Sequence, residues 1–203
     1  MPFKARDFEH PLYHEDMLKR MSWMDKVASY ILAIYWTRAE GQDTNRKTKV
    51  DGFKVKNRQL ESHLDCVAVM EVEGKWYIAA NRLSISDVDV RLTDMSLCRS
   101  TSNFVDNYRF GYIYSDFELV QNYDNFMHAE MKILKRLHEL GKLKVRMHIG
   151  VSKPCCPRCK KVLDDWQIEY TSFHDVSPND NTWIDPGVGH PADESNTIRD
   201  LFL

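Results

Sequence analysis

The chain lacks the features of a membrane-spanning or secreted protein. It has few glycines and prolines, 8 and 7 in 203 residues, and its 43% hydrophobic and 29% charged residues are ordinary for a globular protein. The most apolar run near the N-terminus, 29–36, is far too short to cross a bilayer. Residues 1–20 have no apolar segment followed by a cleavage site, so no secretory signal is visible. We expect a protein that works in the cytoplasm and does not enter a membrane.

Net charge and cysteine content further limit the functional classes to which the protein could belong. The formal net charge is −2, so no overall basic excess marks the chain as a nucleic-acid binder, although a local basic groove can lie on a neutral protein. The five cysteines are odd in number and three of them lie within 155–159, which is not the pattern of a secreted disulfide framework. This clustering indicates a metal site in a reducing compartment. Cys66 and Cys98 are predicted to be buried free thiols.

The first half of the chain predicts a long helix, a hairpin and an insertion. Apolar residues recur at helical spacing over 14–39, which predicts a helix packed on the core or on a partner. Residues 64–82 predict a β-hairpin that turns at 73–75. The stretch 83–124 has no clear period, so we expect an insertion with short elements of its own. Its aromatics either form a small satellite core or stack on bases.

The second half of the chain alternates helices and strands. Apolar periodicity, a helix stop at Gly141 and a proline suited to a first helical turn predict helices over 127–141 and 157–170 and strands over 144–151 and 171–176. Lys132 is predicted on the outward face of the first of these helices. The order β-β-(insert)-α-β-α-β is typical of an α/β fold in which helices cover a sheet. We therefore expect a helical segment with a linker over 1–50 and one such domain over 51–203.

Two predicted helix starts carry the groups that point to chemistry. His128 and Glu130 lie at the beginning of one helix, and Cys156 and Cys159 lie at the beginning of the next. One imidazole and two thiols at C-x-x-C spacing leave one open position on a tetrahedral zinc ion, which is typical of a catalytic site. Glu130 would then be free to move protons at that position. The alternative is a structural zinc site whose fourth ligand is one of three nearby residues: His148, His174 or Cys155.

The same residues resemble a known signature. His128-Ala129-Glu130, followed by Pro-Cys-x-x-Cys, is similar to the motif of the zinc-dependent cytidine deaminase superfamily, and the element order agrees over about 64–176. The resemblance implies a three-layer α/β sandwich with a central mixed sheet, to which the N-terminal helix is added. It also implies a zinc cofactor and the hydrolytic deamination of a nucleobase.

The resemblance assigns a role to each matching residue. It implies three zinc ligands, one proton shuttle and a set of groups that hold the substrate. The ligands would be His128, Cys156 and Cys159, and the proton shuttle would be Glu130. Asn81 would hold the sugar, and backbone groups of Ala129 and Ser152 would read the base edge.

The motif departs from the family pattern at its cysteines. Family members have a proline directly before the first ligand cysteine, whereas Pro154 here precedes Cys155. The ligands could be Cys156 with Cys159, or Cys155 with Cys159 across an extra residue. We predict the first pair, because it keeps the C-x-x-C spacing and puts both thiols on one helical turn. The run Ile-Gly-Val-Ser-Lys-Pro-Cys-Cys-Pro-Arg-Cys is closest to a divergent branch that includes bacterial toxin deaminases and fungal relatives.

Three functions fit this site. The first is deamination of cytosine in nucleic acid, with single-stranded DNA favoured over RNA. Lys153 is predicted to bind this substrate. Several other side chains beside the site suit phosphates and bases: Arg158, Lys160, Lys161 and Trp183. A toxin of this kind would be delivered into the cytoplasm of a target cell and would have an inhibitor or immunity protein as a partner. The second is deamination of a free nucleoside or nucleotide, by an oligomer joined through the helix at 14–39. The third is a catalytically inactive binding module, against which the intact Glu130 argues.

Overall fold

Four strands form the central sheet of the protein. The computed structural model of the chain describes residues 3–4, 21–41, 66–81, 85–100, 116–175 and 183–191. From one edge to the other the strands are β4 (Phe117–Leu119), β3 (Lys75–Ala80), β2 (Val67–Val72) and β5 (Gly150–Val151). β3 pairs with β4 in parallel, whereas β2 is antiparallel to both β3 and β5. The sheet is therefore mixed, as predicted.

Four helices and a second small ladder complete the described elements. The helices are α1 (Trp23–Gly41), α2 (Asp87–Ser100), α3 (Ala129–Glu139) and α4 (Pro157–Asp165). The small ladder joins β1 (Phe3–Lys4) in parallel to β6 (Ser172–Phe173). Within the described parts of the chain, every helix is too short or too polar to cross a membrane.

The two faces of the sheet bury two separate cores, because successive strand residues point to opposite faces. One face of the hairpin packs with α1 and the start of α2, through buried residues that include Val67, Val69, Trp76, Ile78, Val27, Ile31, Leu32 and Val90. The other face packs with α3 and α4, through Ala68, Met70, Tyr77, Met131, Ile133, Leu134, Leu163 and Trp166. The result is three layers, with helices on both sides of the mixed sheet, and the predicted α/β fold class is confirmed.

The hairpin of β2 and β3 and the α3 helix follow the prediction closely. The hairpin turns at Glu73 and Gly74, which both have positive φ (54° and 82°), as a two-residue turn of this hand requires. The α3 helix ends at Glu139 with Leu140 as its C-cap, and Gly141 follows in the left-handed conformation (φ 64°), where the amides of Gly141 and Lys142 donate to the carbonyls of His138 and Leu137. This is a Schellman ending, and it confirms the predicted helix stop.

Three predicted elements differ from the structure. The helix that begins at Pro157 ends at Asp165 rather than near 170, because Gln167 adopts the left-handed conformation (φ 53°) of another Schellman ending. The predicted strand 144–151 is a strand only at Gly150–Val151, since a turn with Arg146 at φ 62° interrupts it. The region 83–124 holds a helix, α2, and a strand of the main sheet, β4, which the absence of a clear period concealed.

Some predictions fall partly outside the described residues. Of the predicted helix 14–39, residues 14–20 lie outside them, and the described part runs on to Gly41 with its apolar face on the sheet. Most aromatics of the predicted insertion lie within 101–115, which is also outside. Phe117 is described, and it packs against the core on the α1 face of the sheet. The side chain of Cys98 is not among those described.

The N-terminus of α1 lies directly against β5, and two features permit this contact. A Cβ at Gly150 would lie 2.2 Å from the carbonyl carbon of Met24, so only glycine lets the helix approach this closely. The buried carboxylate of Asp25 then bonds across the contact. Its Oδ1 accepts the amide of Val151 at 2.8 Å, and its Oδ2 accepts the hydroxyl of Thr171, which precedes β6.

Asp25 also caps the N-terminus of its own helix, α1. The Ser22 hydroxyl accepts the Asp25 amide at 3.1 Å, and the Asp25 carboxylate accepts the Ser22 amide at 2.9 Å. This reciprocal pair is a capping box with aspartate in place of the usual glutamate. One carboxylate therefore joins the helix start, β5 and the segment before β6.

We predict that Asp25→Ala lowers the free energy of unfolding by at least about 2 kcal/mol, because it leaves the buried Val151 amide without an acceptor. Urea denaturation followed by circular dichroism measures the change. The matched control is Asp165→Ala, which removes an exposed aspartate and should change the free energy of unfolding by less than about 0.5 kcal/mol. Equal losses in the two variants would contradict the role given to Asp25.

Candidate functional site

The starts of α3 and α4 meet and bring three metal-ligating side chains together. His128 is the N-cap residue of α3, Cys156 is the N-cap residue of α4, and Cys159 lies in the first turn of α4. The Nδ1 atom of His128 is 3.5 Å from the Sγ of Cys156 and 3.3 Å from the Sγ of Cys159. All three ligand atoms lie within 4.8 Å of one another, so one ion could contact them all.

The donor set fits zinc. A tetrahedral zinc ion with bonds of about 2.3 Å to sulfur and about 2.0 Å to nitrogen would hold these atoms about 3.5 Å apart. The observed distances from nitrogen to sulfur, 3.3 and 3.5 Å, agree with this. The histidine nitrogen that faces both sulfurs is Nδ1, which the sequence could not specify. His148 and His174, considered as fourth ligands, are not part of the cluster.

The chain between β5 and α4 is paired to β6 through both backbone groups of Cys155, which helps to fix the positions of Cys156 and Cys159. The amide of Cys155 donates to the carbonyl of Ser172 at 3.0 Å, and the amide of His174 donates to the carbonyl of Cys155 at 2.9 Å. Pro157 then occupies the first turn of α4, where a missing amide hydrogen costs nothing. The cysteines therefore lie on backbone that is paired to β6 immediately before the helix begins.

The two cysteine ligands have opposite protonation preferences. A hydrogen bond from the Cys159 thiol, aided by others from the Cys159 amide and His128, lowers the pKa of Cys156 to about 4 despite its burial. Burial raises the pKa of Cys159 well above its usual range. The helix N-termini at which both lie also favour negative charge.

Glu130 is a buried carboxyl group beside the cluster. Its side chain is on the second residue of α3, the residue is 2% exposed, and its Oε2 has no hydrogen-bond partner among the described residues. Burial raises the pKa of Glu130, against the opposing effect of His128. A carboxyl group in such surroundings can hold a proton near neutral pH and release it, which is what general acid–base chemistry requires.

Cys155 is not a member of the ligand cluster. It is fully buried outside the three-residue cluster, and it lies close enough to Glu130 that each group affects the pKa of the other. Burial raises the pKa of this thiol well above its usual range, so it remains protonated and can donate. The geometry thus favours Cys156 with Cys159 as the ligand pair, and it gives the third cysteine a contact that the sequence did not predict.

Asn81 and Ala129 lie together at the edge of the site. The amide of Ala129 donates to Oδ1 of Asn81 at 2.5 Å, so the end of β3 is fastened to the start of α3. Lys132, predicted to face outward, is 3% exposed, and burial lowers its pKa. Its Nζ donates to the carbonyls of Ala80 and Asn81, each at 2.8 Å. That prediction was wrong because Lys132 lies one turn after His128 on the face that meets β3.

Ser152 and Lys153 occupy different surroundings from the ligands. The amide of Ser152 donates to the carbonyl of Val67 at 2.9 Å, and its hydroxyl accepts the amide of Val67 at 2.9 Å. Ser152 therefore extends the pairing of β5 with β2. Lys153 is half-buried near Cys66, a buried free thiol, as predicted, whose pKa is raised to about 12 by burial although Lys153 lowers it. The roles of Ser152 and Lys153 in binding substrate stay predictions.

Comparison with known proteins supports the same chemistry. Residues 127–183 match a family model described as OTT_1508_deam-like deaminase. The matched residues make up well under half of the chain. The matched segment contains His128, Glu130, Cys156 and Cys159. No curated protein and no solved structure matches the chain. The family match and the ligand cluster together support a deaminase, with a centre that could bind a metal.

We predict that Cys155→Ser keeps one bound metal ion per chain and that Cys156→Ser loses it, because only the second change removes a ligand of the cluster. The measurement is zinc content by elemental analysis after extensive dialysis against metal-free buffer. The two variants are matched controls for each other, since they make the same change at adjacent positions. Zinc lost from Cys155→Ser but retained by Cys156→Ser would overturn the assignment.

Proposed function

We propose that the protein is a zinc-dependent hydrolase that removes the exocyclic amine of a nucleobase, with cytosine in single-stranded nucleic acid as the substrate. The observation that carries this proposal is the position of the His128 Nδ1 atom, 3.3 and 3.5 Å from the two thiols, with the buried carboxyl of Glu130 two residues along the same helix. A metal centre with an open position beside a proton-transfer group suits the hydrolysis of an amine.

The proposed reaction exchanges an amine for a carbonyl at the expense of one water molecule. Zinc held by His128, Cys156 and Cys159 would supply a Lewis acid that makes water acidic enough to react near neutral pH. Glu130 would accept a proton from the attacking water and deliver it to the ring nitrogen next to the reacting carbon. It would then carry a second proton, from the hydroxyl newly bonded to that carbon, to the departing amine, which leaves as ammonia while the hydroxyl becomes the carbonyl. The thiol of Cys155 lies beside the same carboxyl and opposes the rise of its pKa.

The choice of nucleic acid rests on the resemblance to the toxin branch and on the groups around α4. Arg158 lies over the ring of Trp183 at 5.6 Å, and Lys160 lies over the ring of Phe173 at 5.2 Å. Paired cations and aromatic rings suit a backbone of phosphates and unstacked bases. Lys160 also pairs with Asp164, so part of its charge is already used within the protein. The same resemblance supports a role as a toxin or effector that has an immunity protein as its partner.

The competing interpretation is a free-nucleotide deaminase whose subunits associate through the N-terminal helix. One observation that favoured it no longer does so. The apolar residues of α1 that could have formed such an interface pack on the sheet of the same chain: Val27, Ala28, Ile31 and Leu32. These four residues are therefore not available to a shared interface.

We predict that the purified protein converts cytosine to uracil in single-stranded DNA at a higher rate than in duplex DNA, RNA or free cytidine. Only an unpaired base can enter a buried site without an unstacking cost. Mass spectrometry of the digested products measures uracil, and hypoxanthine reports any action on adenine. Product from free nucleosides alone would replace nucleic acid as the proposed substrate, and bound zinc with no product anywhere would favour an inactive binding module.

We predict that Glu130→Gln lowers the deamination rate by at least about 100-fold while the zinc content is unchanged, because the amide cannot accept or deliver the proton. Rate and metal content are measured on the same preparation, with whichever substrate the wild-type protein turns over. Glu169→Gln, the same change at an exposed position, is the control and should leave the rate within about two-fold. Loss of zinc from Glu130→Gln would show that this carboxyl is a ligand instead.

A further inference from the structure

The segment 183–191 returns to α4 and lies against the helix that carries the cysteine ligands. The indole N–H of Trp166 donates to the carbonyl of Gly189 at 3.1 Å. Val188 is buried in the same core as α4, at 3% exposure. Trp183, at the start of the segment, packs partly buried against that core. The contact between segment and helix is therefore fixed at more than one point.

The indole of Trp183 reaches one of the metal ligands. Its Nε1 lies 3.4 Å from the Sγ of Cys159. An indole N–H can only donate, so the sulfur must be the acceptor, whichever tautomer the neighbouring histidine adopts. Cys159 is fully buried, and its sulfur also lies 3.3 Å from the His128 Nδ1 atom. The Trp183 indole is therefore a second polar neighbour of this sulfur, outside the ligand set.

Arg158 holds the same indole from its face. Its guanidinium lies 5.6 Å from the centroid of the Trp183 ring, within the range of a cation–π contact. A cation above the ring draws electron density from it and makes the N–H a stronger donor. Arg158 is one of the two residues between Cys156 and Cys159. The C-x-x-C turn therefore supplies both the ligand and the side chain that orients the donor to that ligand.

We propose that Trp183 is a positioning residue of the metal centre, whose indole N–H fixes the Cys159 sulfur and withdraws charge from it when it is a thiolate. This inference rests on the metal centre of the proposed function and adds a group outside the ligand set. Hydrogen bonds to ligand atoms orient them and adjust their donor strength. A thiolate that gives less charge to the ion leaves the ion a stronger Lewis acid. The segment 183–191 thereby acts on the reactivity of the site.

The chain offers a matched control for this role. Trp183 and Trp166 both donate an indole N–H to an acceptor, and both pack on the core beside α4. Only Trp183 donates to a metal ligand, whereas Trp166 donates to a backbone carbonyl. Replacing each by phenylalanine keeps most of the apolar ring and removes the N–H, so the pair separates an effect on the ligand from an effect on packing.

The test uses the full-length protein, its Trp183→Phe and Trp166→Phe variants, and cobalt(II) in place of zinc. Charge-transfer absorption from thiolate to cobalt reports the electron density on the sulfur. We expect this band to move to longer wavelength in Trp183→Phe, because the sulfur loses a stabilising donor, and to stay in place in Trp166→Phe. Zinc affinity, measured by competition with a chelator, should fall about 10- to 100-fold in Trp183→Phe alone.

The outcomes separate this inference from the proposed function. A cobalt band at the same wavelength in the wild type and in Trp183→Phe would overturn the role of Trp183 while leaving the metal centre intact, even if the affinity changed through loss of packing. An equal shift in both variants would also overturn it, because the effect would then arise from packing. A wild-type protein that binds neither zinc nor cobalt would overturn the metal centre and this inference with it.

Discussion

The buried carboxylate of Asp25 is the interaction on which the rest of the structure depends. It accepts hydrogen bonds from the helix start at Ser22, from the amide of Val151 in β5 and from the hydroxyl of Thr171 before β6. The segment that leads from β5 into α4 is confined between the two strands fixed in this way, since the amide and the carbonyl of Cys155 both pair with the backbone around β6. A carboxylate on one face of the sheet therefore helps to set where Cys156 begins its helix on the other face.

The site itself follows from the convergence of two helix starts. His128 occupies an N-cap position without a capping bond from its side chain, so its ring is turned toward the cysteines instead. Cys156 does cap its helix, through the Cys159 amide, and the same sulfur is a ligand of the cluster. Two positive helix ends offset the charge that thiolates bring into a buried place. The sheet also holds the start of α3 in place, because the Ala129 amide and the Lys132 ammonium group both donate hydrogen bonds to Asn81 at the end of β3.

The sequence predicted what local patterns encode and missed what tertiary contacts decide. The hairpin and α3 with its stop at Gly141 could be predicted, because each depends on spacing within a few residues. The cluster of His128, Cys156 and Cys159 was predicted from two local motifs, and the fold does bring them together. The α2 helix had a local signal that was missed, the pair Ser86 and Asp89, in which the Asp89 carboxylate accepts the Ser86 amide as Asp25 accepts that of Ser22. The burial of Lys132 had no such signal, because its partners are carbonyls about fifty residues away in the sequence.

The burial of so many ionisable groups in one place carries a free-energy cost that a metal ion would offset. Burial raises the pKa values of Glu130 and Cys159, which means that each charged form is disfavoured where it lies. A dication between the two sulfurs would reverse this preference for Cys159, which would release its proton and become a ligand. The same dication would also lower the pKa of Glu130, and this carboxyl could then both accept and deliver a proton, because it lies outside the ligand set. The arrangement separates groups that must lose their protons on binding metal from the one group that must go on exchanging them.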